Sequence, residues 1–474
     1  MTTTLSWTAR ALAVALGVTM ACDSPAEEAE HDGQFDDGVV GVGKADDTNG
    51  VEDRSFEAEC IVRLANNADF ETLDDDAGLW SKAARGIIDT RAGADRKLGT
   101  SDDVRYTTLH QLDDVDWVGY FAFRSLSAYA KSEGYCPQLG EQYPLEGEEE
   151  AATRIAMRIG TRMMLEFMNG EDPSDRGLHA KGRCLEASFA VDNAELPEEL
   201  RVGLFADNGE YKATIRFSNG NPAVQADAEG DVRGMAIKLV GVQGERVVAD
   251  GATTQDFLLN HTPALPTANV IDFADVIDAA EDGNPLFVFF NWDEREFEFE
   301  IEWSKIKLLL ESVFTEINHP LAATYWSQTP YRLGPETSAV KYQARPCMPL
   351  AEIDVDEDDP DYFSAAMLES GEACFTFSVQ RQLDPEAFPI EDSAIEWSEG
   401  RSPFIPVATL RVAAQDFTDE AWVESCQNLS FNPWHALAAH EPLGNLNRAR
   451  KRVYGDISKI RHDNNGVPER EPTE

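Results

Sequence analysis

Residues 176–182, which read Arg-Gly-Leu-His-Ala-Lys-Gly, contain the side chain of this sequence that is best suited to acid–base chemistry. His179 can change its charge near neutral pH, and it stands close to two cations and to small residues. A single histidine is more often a hydrogen-bonded structural residue than a catalyst. The interpretation of His179 therefore depends on the segments that follow it in the chain.

Four further segments follow His179 in order. They read Ile-Arg-Phe-Ser at 215–218, Asp-Val-Arg-Gly-Met-Ala-Ile-Lys at 231–238, Phe-Leu-Leu-Asn-His-Thr-Pro at 257–263 and Thr-Tyr-Trp-Ser-Gln-Thr-Pro-Tyr-Arg-Leu-Gly at 324–334. In this order the segments resemble the haem-binding core of catalases and of the smaller catalase-related haem proteins. The resemblance covers residues 150–462.

The resemblance implies a haem b cofactor whose iron is bound by a tyrosine. When the chain is aligned on Arg-Leu-Gly at 332–334, the iron ligand of the family falls on Tyr325, and Tyr331 is the alternative. A tyrosine is normally protonated near neutral pH, so a phenolate ligand needs the charge of the iron or of a cation. Family members usually place an arginine one helical turn earlier, but residue 321 is a leucine. This departure favours peroxidase-type turnover over efficient catalase activity.

On the opposite face of the haem, the resemblance implies that His179 transfers the protons of the peroxide and that Asn260 orients it. An uncharged imidazole can take a proton from one peroxide oxygen and return it to the other. Ser218 is expected to hydrogen-bond the His179 ring and to set its tautomer. His261 is a rival, but in an extended segment its side chain points to the side opposite that of Asn260.

Three arginines, Arg176, Arg216 and Arg332, match the contacts that the family makes to the two haem propionates. A planar guanidinium group is well suited to this role because it donates two charge-assisted hydrogen bonds to a carboxylate. Phe273 falls where the family has an aromatic ring packed over the haem, although packing in the core would explain it equally well.

Composition and charge exclude one class of function. The chain has 474 residues and 42% apolar content, which suffices for a sizeable core. Its formal net charge of −47 argues against nucleic-acid binding, because the phosphates would be repelled. The expected partners are a peroxide or hydroperoxide substrate and an unknown reducing donor.

Residues 1–22 have the layout of a bacterial secretion signal. Arg10 precedes a short apolar run that ends at Ala21-Cys22, a lipoprotein-type cleavage site, although Thr19 stands where leucine is usual. A signal peptide without lipidation is the alternative. Residues 23–54 are rich in Asp, Glu and Gly and predict a disordered acidic tether. We therefore expect an exported lipoprotein of the cell envelope, held at the membrane by its lipid anchor alone.

Helical apolar spacing at 61–66, 77–88 and 117–129 predicts a small all-α module over residues 55–136. The module resembles helix-hairpin-helix modules, but its segment 112–119 is acidic and has one glycine. A role in packing or in contacting a protein partner is therefore favoured over DNA binding. Cys60 and Cys136 bracket the module and are candidates for a disulfide bond.

The remainder of the chain predicts an α+β fold. An amphipathic helix over 150–169 leads into alternating strands and turns over 183–262, which is typical of an antiparallel β-barrel. The apolar patterns also predict helices around 270–280 and 303–314, strands around 373–380 and 406–413, and a basic helical end over 431–460. The catalase-like topology of this barrel, over 150–462, is implied by the resemblance.

Together these features predict a haem-dependent enzyme that decomposes or reduces hydrogen peroxide or organic hydroperoxides. Peroxidase-type turnover ranks above catalase activity, and hydroperoxide rearrangement ranks third. The alternative is a non-catalytic module, tethered at the surface, that keeps the fold and binds haem or a protein partner.

Overall fold

The computed structural model describes residues 48–170, 174–249, 251–281, 290–293, 298–301, 303–350, 355–356 and 358–473. The predicted signal, Cys22 and most of the predicted tether, residues 1–47, lie outside the described residues. Within the described ranges, no helix combines the length and the apolar character needed to cross a membrane.

The first part of the described chain is a helical module, residues 51–136, with a hydrophobic core of its own. Its helices are α1 (Phe56–Asn67), α2 (Ser81–Arg91), α3 (Leu109–Asp113) and α4 (Tyr120–Ser132), with a π-helical turn at Thr72–Asp76. The expected disulfide bond between Cys60 and Cys136 is present. The side chains of Trp80 and Phe121 are 67% and 74% exposed. A protein partner for this module stays a prediction.

Eleven strands follow among the described residues. They are β1 (Gly182–Val191), β2 (Gly209–Asn219), β3 (Arg233–Val240), β4 (Thr254–Asn260), β5 (Phe290–Asp293), β6 (Glu298–Ile301), β7 (Tyr325–Trp326), β8 (Tyr331–Arg332), β9 (Ala339–Pro346), β10 (Ala373–Arg381) and β11 (Ile405–Val412). Strands β10, β11, β1, β2, β3, β4, β7 and β9 lie side by side in that order, and β9 pairs again with β10. This ring confirms the predicted antiparallel β-barrel.

The barrel has an inner face and an outer face because successive side chains of a strand point to opposite sides. The inner face is filled by large apolar side chains, among which the rings of Phe189, Phe257 and Phe377 are in contact. The alternate residues of β2, β3 and β4 point outward. They include the polar residues that the sequence analysis selected.

Six helices accompany the barrel among the described residues. The helices of this part are α5 (Glu148–Met168), α6 (Val270–Glu281), α7 (Trp303–Phe314), α8 (Tyr362–Glu369), α9 (Glu420–Asn428) and α10 (Asn445–Asn465). Apolar side chains of α5, α6 and α10 form one cluster. Helices α5 and α10 approach closely at Gly160, where a Cβ atom would lie 2.7 Å from Ile460 Cδ1.

The C-terminal helix is shorter than the sequence pattern predicts. Residues 431–435 are not helical, and α10 begins only at Asn445. Pro442 and Gly444 precede this start, and Gly444 has a φ of 86°, which a glycine adopts without strain. The helix therefore starts immediately after a turn that fixes its direction.

Two further disulfide bonds lie within the barrel domain. Cys184 in β1 is bonded to Cys426 in α9, and Cys347 is bonded to Cys374 in β10. Each of the six described cysteines is thus paired. The first of these bonds holds α9 against the start of β1, close to His179.

Candidate functional site

The loop before β1 fixes the position of His179. Gly177 fills a narrow gap between α5 and α10, since a Cβ atom there would lie 2.5 Å from Ile159 Cγ2 and 3.0 Å from Ile457 Cγ2. The backbone N–H of His179 donates to the carbonyl of Gly220 at 3.0 Å. His179 itself has a φ of 57°, a left-handed conformation that histidine adopts more readily than most residues.

Ser218, Gly234 and Asn260 occupy paired positions on β2, β3 and β4. Residues paired across strands share one face, and this row lies on the outer face because the adjacent residues are in the barrel core. His179 Nδ1 lies 3.0 Å from Ser218 Oγ. A Cβ atom on Gly234 would lie 2.9 Å from His179 Cε1, so the imidazole rests on the backbone of β3.

His179 is uncharged in the neutral pH range. Burial, and then the positive charges of Arg216, Arg176 and Arg450, lower its pKa to about 3. The side chain is only partly buried, and no hydrogen bond to its Nε2 occurs among the described residues. In the tautomer that donates Nδ1–H to Ser218, Nε2 keeps a lone pair with which it can accept a proton.

Asn260 is held by a residue that sequence reasoning missed. Its Nδ2 donates to Gln328 Oε1 at 2.7 Å, and Gln328 Nε2 donates to the carbonyl of Ala264 at 3.0 Å and to Thr262 Oγ1 at 2.9 Å. Because a carbonyl oxygen can only accept, Ala264 fixes the orientation of Gln328 and, through it, that of Asn260. Gln328 is therefore a positioning residue. No local sequence signal marks it.

His261 has a structural role. Its Nδ1 accepts a hydrogen bond from the backbone N–H of Arg233 at 2.9 Å, and its own backbone N–H donates to the Arg233 carbonyl at 3.0 Å. Burial lowers its pKa to about 4. The ring therefore fastens the end of β4 to β3, and it lies apart from Asn260 as the strand alternation predicts.

Arg176 and Arg216 lie beside His179 and are only partly satisfied. Arg216 Nη2 donates to the carbonyl of His179 at 2.9 Å, and Arg176 Nη2 donates to the carbonyl of Cys426 at 3.1 Å. The Nε atoms of both arginines are buried and lack a hydrogen-bond partner among the described residues. Burial, and then Arg461, lower the pKa of Arg216 to about 9. Buried cations with orphaned donors form a site suited to carboxylates.

Arg332 does not belong to this group, so the prediction that it joins Arg176 and Arg216 is wrong. Its Nε donates to Glu441 Oε2 at 2.9 Å, and its backbone N–H donates to the Glu441 carbonyl. Glu441, the partner of Arg332, precedes the start of α10. Arg461 lies near the end of α10, and its positive charge lowers the pKa of Arg176 and of Arg216. At 1.5 Å per residue, roughly 24 Å of helix separates the start of α10 from Arg461.

The structure also contradicts the assignment of Tyr325 as the iron ligand. Trp326 pairs with Asn260 on the outer face, so Tyr325 points into the barrel. There its hydroxyl donates to the carbonyl of Pro320 at 2.9 Å, and burial raises its pKa. The alternative, Tyr331, packs its ring in the same core, and burial raises its pKa to about 12. Neither tyrosine faces His179 across a site.

A different tyrosine faces the site from α10. Arg450, Tyr454 and Arg461 are spaced so that they share one face of this helix. Arg450 lowers the pKa of His179, and Tyr454 and Arg461 both act on the pKa of Arg176. Arg450 Nη1 also donates to Thr329 Oγ1 at 3.1 Å, next to Gln328, so this part of α10 lies near the residues that position Asn260.

The spacing on α10 reproduces the pattern that was expected around Tyr325. Arg450 stands one helical turn before Tyr454. An arginine was expected at the same distance before Tyr325, where residue 321 is a leucine. Arg461 follows Tyr454 at the same separation at which Arg332 follows Tyr325. A sequence signal for Tyr454 does exist. It is the motif Arg-x-x-x-Tyr at 450–454, followed by Arg461 in the same basic helix.

Phe273 lies on α6 and is partly buried in the cluster formed by α5, α6 and α10. Leu178, the neighbour of His179, packs on the same cluster. The position of Phe273 is thus close to the loop that carries His179. Helix packing accounts for it.

Gly234→Ala is expected to damage the site more than the fold. The new Cβ would lie 2.9 Å from both His179 Cε1 and Ser218 Oγ, so the imidazole must leave its hydrogen bond. Loss of such an orienting contact typically lowers activity roughly 10- to 100-fold. Peroxide turnover and thermal unfolding should be compared with those of Gly209→Ala, whose Cβ would meet no atom closer than 3.6 Å. Equal turnover in the two variants would contradict the assigned geometry.

Comparison with known proteins finds likeness at the level of the fold. No protein-family model matches the sequence. A fungal catalase structure matches with 17% identity and a TM-score of 0.47, covering 63% of this chain and 61% of that protein. Catalase A from Saccharomyces cerevisiae matches with 18% identity, a TM-score of 0.48 and 63% coverage of both chains.

A bacterial catalase structure matches with 16% identity and a TM-score of 0.45, covering 65% of this chain and 63% of that protein. The match to each of these three catalases spans between 61% and 63% of its length. At this identity the likeness concerns the fold alone.

Proposed function

We propose that this protein is a haem-dependent enzyme that decomposes or reduces hydrogen peroxide or organic hydroperoxides. One observation carries the proposal. His179, which is uncharged, and Asn260, which Gln328 orients, share the outer face of the barrel, and the helix that carries Tyr454 one turn after Arg450 lies close enough for Arg450 to lower the pKa of His179. A site with an acid–base group on one side and a tyrosine beside an arginine on the other suits peroxide chemistry at an iron centre.

The residues present fit a haem group. The phenol oxygen of Tyr454 would bind the iron, and Arg450 stands one helical turn before it on α10. The orphaned Nε atoms of Arg176 and Arg216 would donate to the propionates, and the neighbouring Arg461 would add a third positive charge. The haem iron, when bound, supplies the electrons that reduce the peroxide bond.

The protein supplies the proton transfers. Cleaving the bond between the two peroxide oxygens requires that one oxygen lose a proton and that the other gain one. His179 Nε2 can accept the first proton and then donate it, provided that Nδ1–H is held by Ser218 Oγ at 3.0 Å. Asn260 keeps one N–H of its amide on Gln328 and can offer the other N–H to the peroxide.

Arg450 removes one reason for expecting peroxidase turnover to prevail over catalase turnover in this protein. The ranking relied on Leu321, which stands where an arginine is expected beside the iron ligand. With Tyr454 as the ligand, Arg450 supplies that charge. The proposal therefore covers both reactions, and the choice between them depends on access for a reducing donor.

We also propose that the protein is exported and held at the cell envelope by a lipid on Cys22. Three disulfide bonds among the described residues support an oxidising compartment. Metabolic labelling with a fatty acid in a bacterial host tests the anchor. Incorporation that is lost in Cys22→Ser supports it, and no incorporation in the unchanged protein would overturn it.

Activity is expected to persist on the acid side of neutrality. The reaction needs uncharged His179, and its pKa of about 3 keeps it uncharged as the pH falls from 8 to 5. A histidine of ordinary pKa, about 6.5, would lose most of its uncharged form over the same range. Rates of peroxide consumption measured between pH 5 and 8 should not show an inflection near 6.5. Such an inflection, absent from a variant lacking His179, would contradict the assigned environment.

The experiment that tests the proposed function is a titration of the purified protein with haemin, followed by peroxide assays. We expect saturable binding of one haem per chain and peroxide consumption well above that of free haemin. The assays should be run with and without a reducing donor, which separates peroxidase from catalase turnover. Failure to bind haem would overturn the enzyme and favour the non-catalytic module.

A further inference from the structure

A cavity of about 230 Å³ lies between the start of β1 and α9. It is partly open to solvent, and Val224 and Asp361 also line it. Its apolar surface comes from Phe417, Trp422, Val423 and the Cys184–Cys426 disulfide. Its charged lining residues are Asp175, Lys181, Arg183 and Asp361, of which Lys181 and Asp361 are paired with each other at 2.7 Å. Neither His179 nor Asn260 lines it, so it is distinct from the peroxide site.

Two residues that line the cavity, Gly182 and Cys426, also contact the arginines of the proposed haem site. Cys426 lines the cavity, and its carbonyl accepts a hydrogen bond from Arg176 Nη2 at 3.1 Å. Gly182 also lines the cavity, and a Cβ atom on it would lie 2.6 Å from the guanidinium carbon of Arg216. Arg176 and Arg216 therefore pack directly against residues that line the cavity.

The lining suits a small aromatic molecule with one polar group. Trp422 and Phe417 offer apolar ring surface, and the indole is fixed because its Nε1 donates to the Cys184 carbonyl at 2.8 Å. Arg183 Nη2 lies 3.9 Å from Asp361 Oδ2, a loose ion pair that leaves the guanidinium able to bind an oxygen. The volume is below the roughly 300–1,000 Å³ of pockets for drug-sized ligands, which limits the ligand to a single ring.

We propose that this cavity binds a monocyclic phenol that serves as the reducing donor, with its ring against Trp422 and its oxygen at Arg183. This inference rests on the proposed function, since the donor would deliver its electrons to the arginine-lined end of the haem. The reaction balances when two phenols react with one hydrogen peroxide. Each phenol loses one electron and one proton and becomes a phenoxyl radical, and the peroxide takes up both electrons and both protons and becomes two waters.

Binding is tested first on the haem-free protein, with 4-fluorophenol as the probe and fluorine NMR as the measurement. Val423→Phe adds a ring at a residue that lines the cavity and removes no side-chain hydrogen bond, so the ring can occupy space that the phenol would need. We expect saturable binding to the unchanged protein and binding at least about tenfold weaker in Val423→Phe. Val104→Phe, at a residue of the helical module that is 48% exposed, is the matched control and should bind normally.

Turnover is tested second on the haem-loaded protein. Val423→Phe should raise the KM for phenol oxidation at least about tenfold and leave donor-free peroxide consumption unchanged, because His179 and Asn260 lie elsewhere. Arg183→Gln should raise the same KM without filling the cavity. Equal phenol binding in Val423→Phe and in the unchanged protein would overturn the donor site. If the protein binds phenol but takes up no haem, the proposed function is wrong. The cavity would still be a phenol-binding site in that case.

Discussion

Tyr454→Phe is expected to abolish stable haem binding or to change the absorption spectrum of the bound haem, with loss of peroxide turnover. The substitution removes only the oxygen that would bind the iron and leaves the ring and the helix in place. Outer partners of a metal ligand typically contribute roughly 10- to 100-fold to affinity or activity, so loss of the ligand itself should cost more. Haemin titration and the absorption spectrum of the ferric protein measure the effect.

Tyr325→Phe is the matched control for this experiment. It also removes one tyrosine oxygen, but this oxygen donates to the carbonyl of Pro320 inside the barrel. Losing one such hydrogen bond costs about 1 kcal/mol of stability. Haem binding and spectrum should remain those of the unchanged protein. A spectrum altered in Tyr325→Phe and preserved in Tyr454→Phe would contradict the assignment to α10.

His179→Asn is expected to keep the haem and to lower peroxide turnover about 100-fold or more, the usual contribution of a positioned acid–base group. Asparagine is the substitution of choice because it tolerates the left-handed backbone that His179 adopts, with a φ of 57°. The loop from Arg176 to Gly182 should therefore keep its course. Turnover and haem content are measured on the same preparation, so that a loss of cofactor is not mistaken for a loss of proton transfer.

His110→Asn is the corresponding control, since His110 is an exposed residue of the helical module. It should leave both haem content and turnover unchanged. Full turnover in His179→Asn would show that another group moves the protons. Lost haem in His179→Asn would instead place His179 in cofactor binding.

The sequence predicts the barrel well because most residues of its strands alternate between the core and the outer face. The predicted strand segments around 373–380 and 406–413 correspond to β10 (Ala373–Arg381) and β11 (Ile405–Val412), and the predicted helices correspond to α6 and α7. The contact between His179 and Ser218 was expected from the family resemblance, and it is present in the structure, where Ser218 is an outer residue of β2. These features are local and are fixed by the pattern of apolar residues.

Spacing alone points to Tyr325 rather than to the proposed iron ligand Tyr454, because it does not tell which face of an element a residue occupies. Tyr325 has the expected separation from Arg332, but the pairing of Trp326 with Asn260 sends Tyr325 into the core. Tyr454 has the same separation from Arg461, and there the residues lie on a helix that covers His179. The sequence spacing is the same for Tyr325 and Tyr454, and only the position of each residue in the folded protein distinguishes them.

Gln328 could not be found from the sequence for a related reason. Its role depends on hydrogen bonds to Asn260 and Ala264, which come from a distant part of the chain. A polar side chain that orients another polar side chain leaves no periodic pattern. Such residues become visible only when the hydrogen bonds are known.

A crystal structure of the protein with bound haem is the measurement that tests the central claim most directly. We predict that the oxygen of Tyr454 is bonded to the iron, that His179 Nε2 and Asn260 face the opposite side of the haem, and that Arg176 and Arg216 contact the propionates. Iron bound by any other residue, or haem bound away from the space between α10 and the row Ser218, Gly234 and Asn260, would contradict the account.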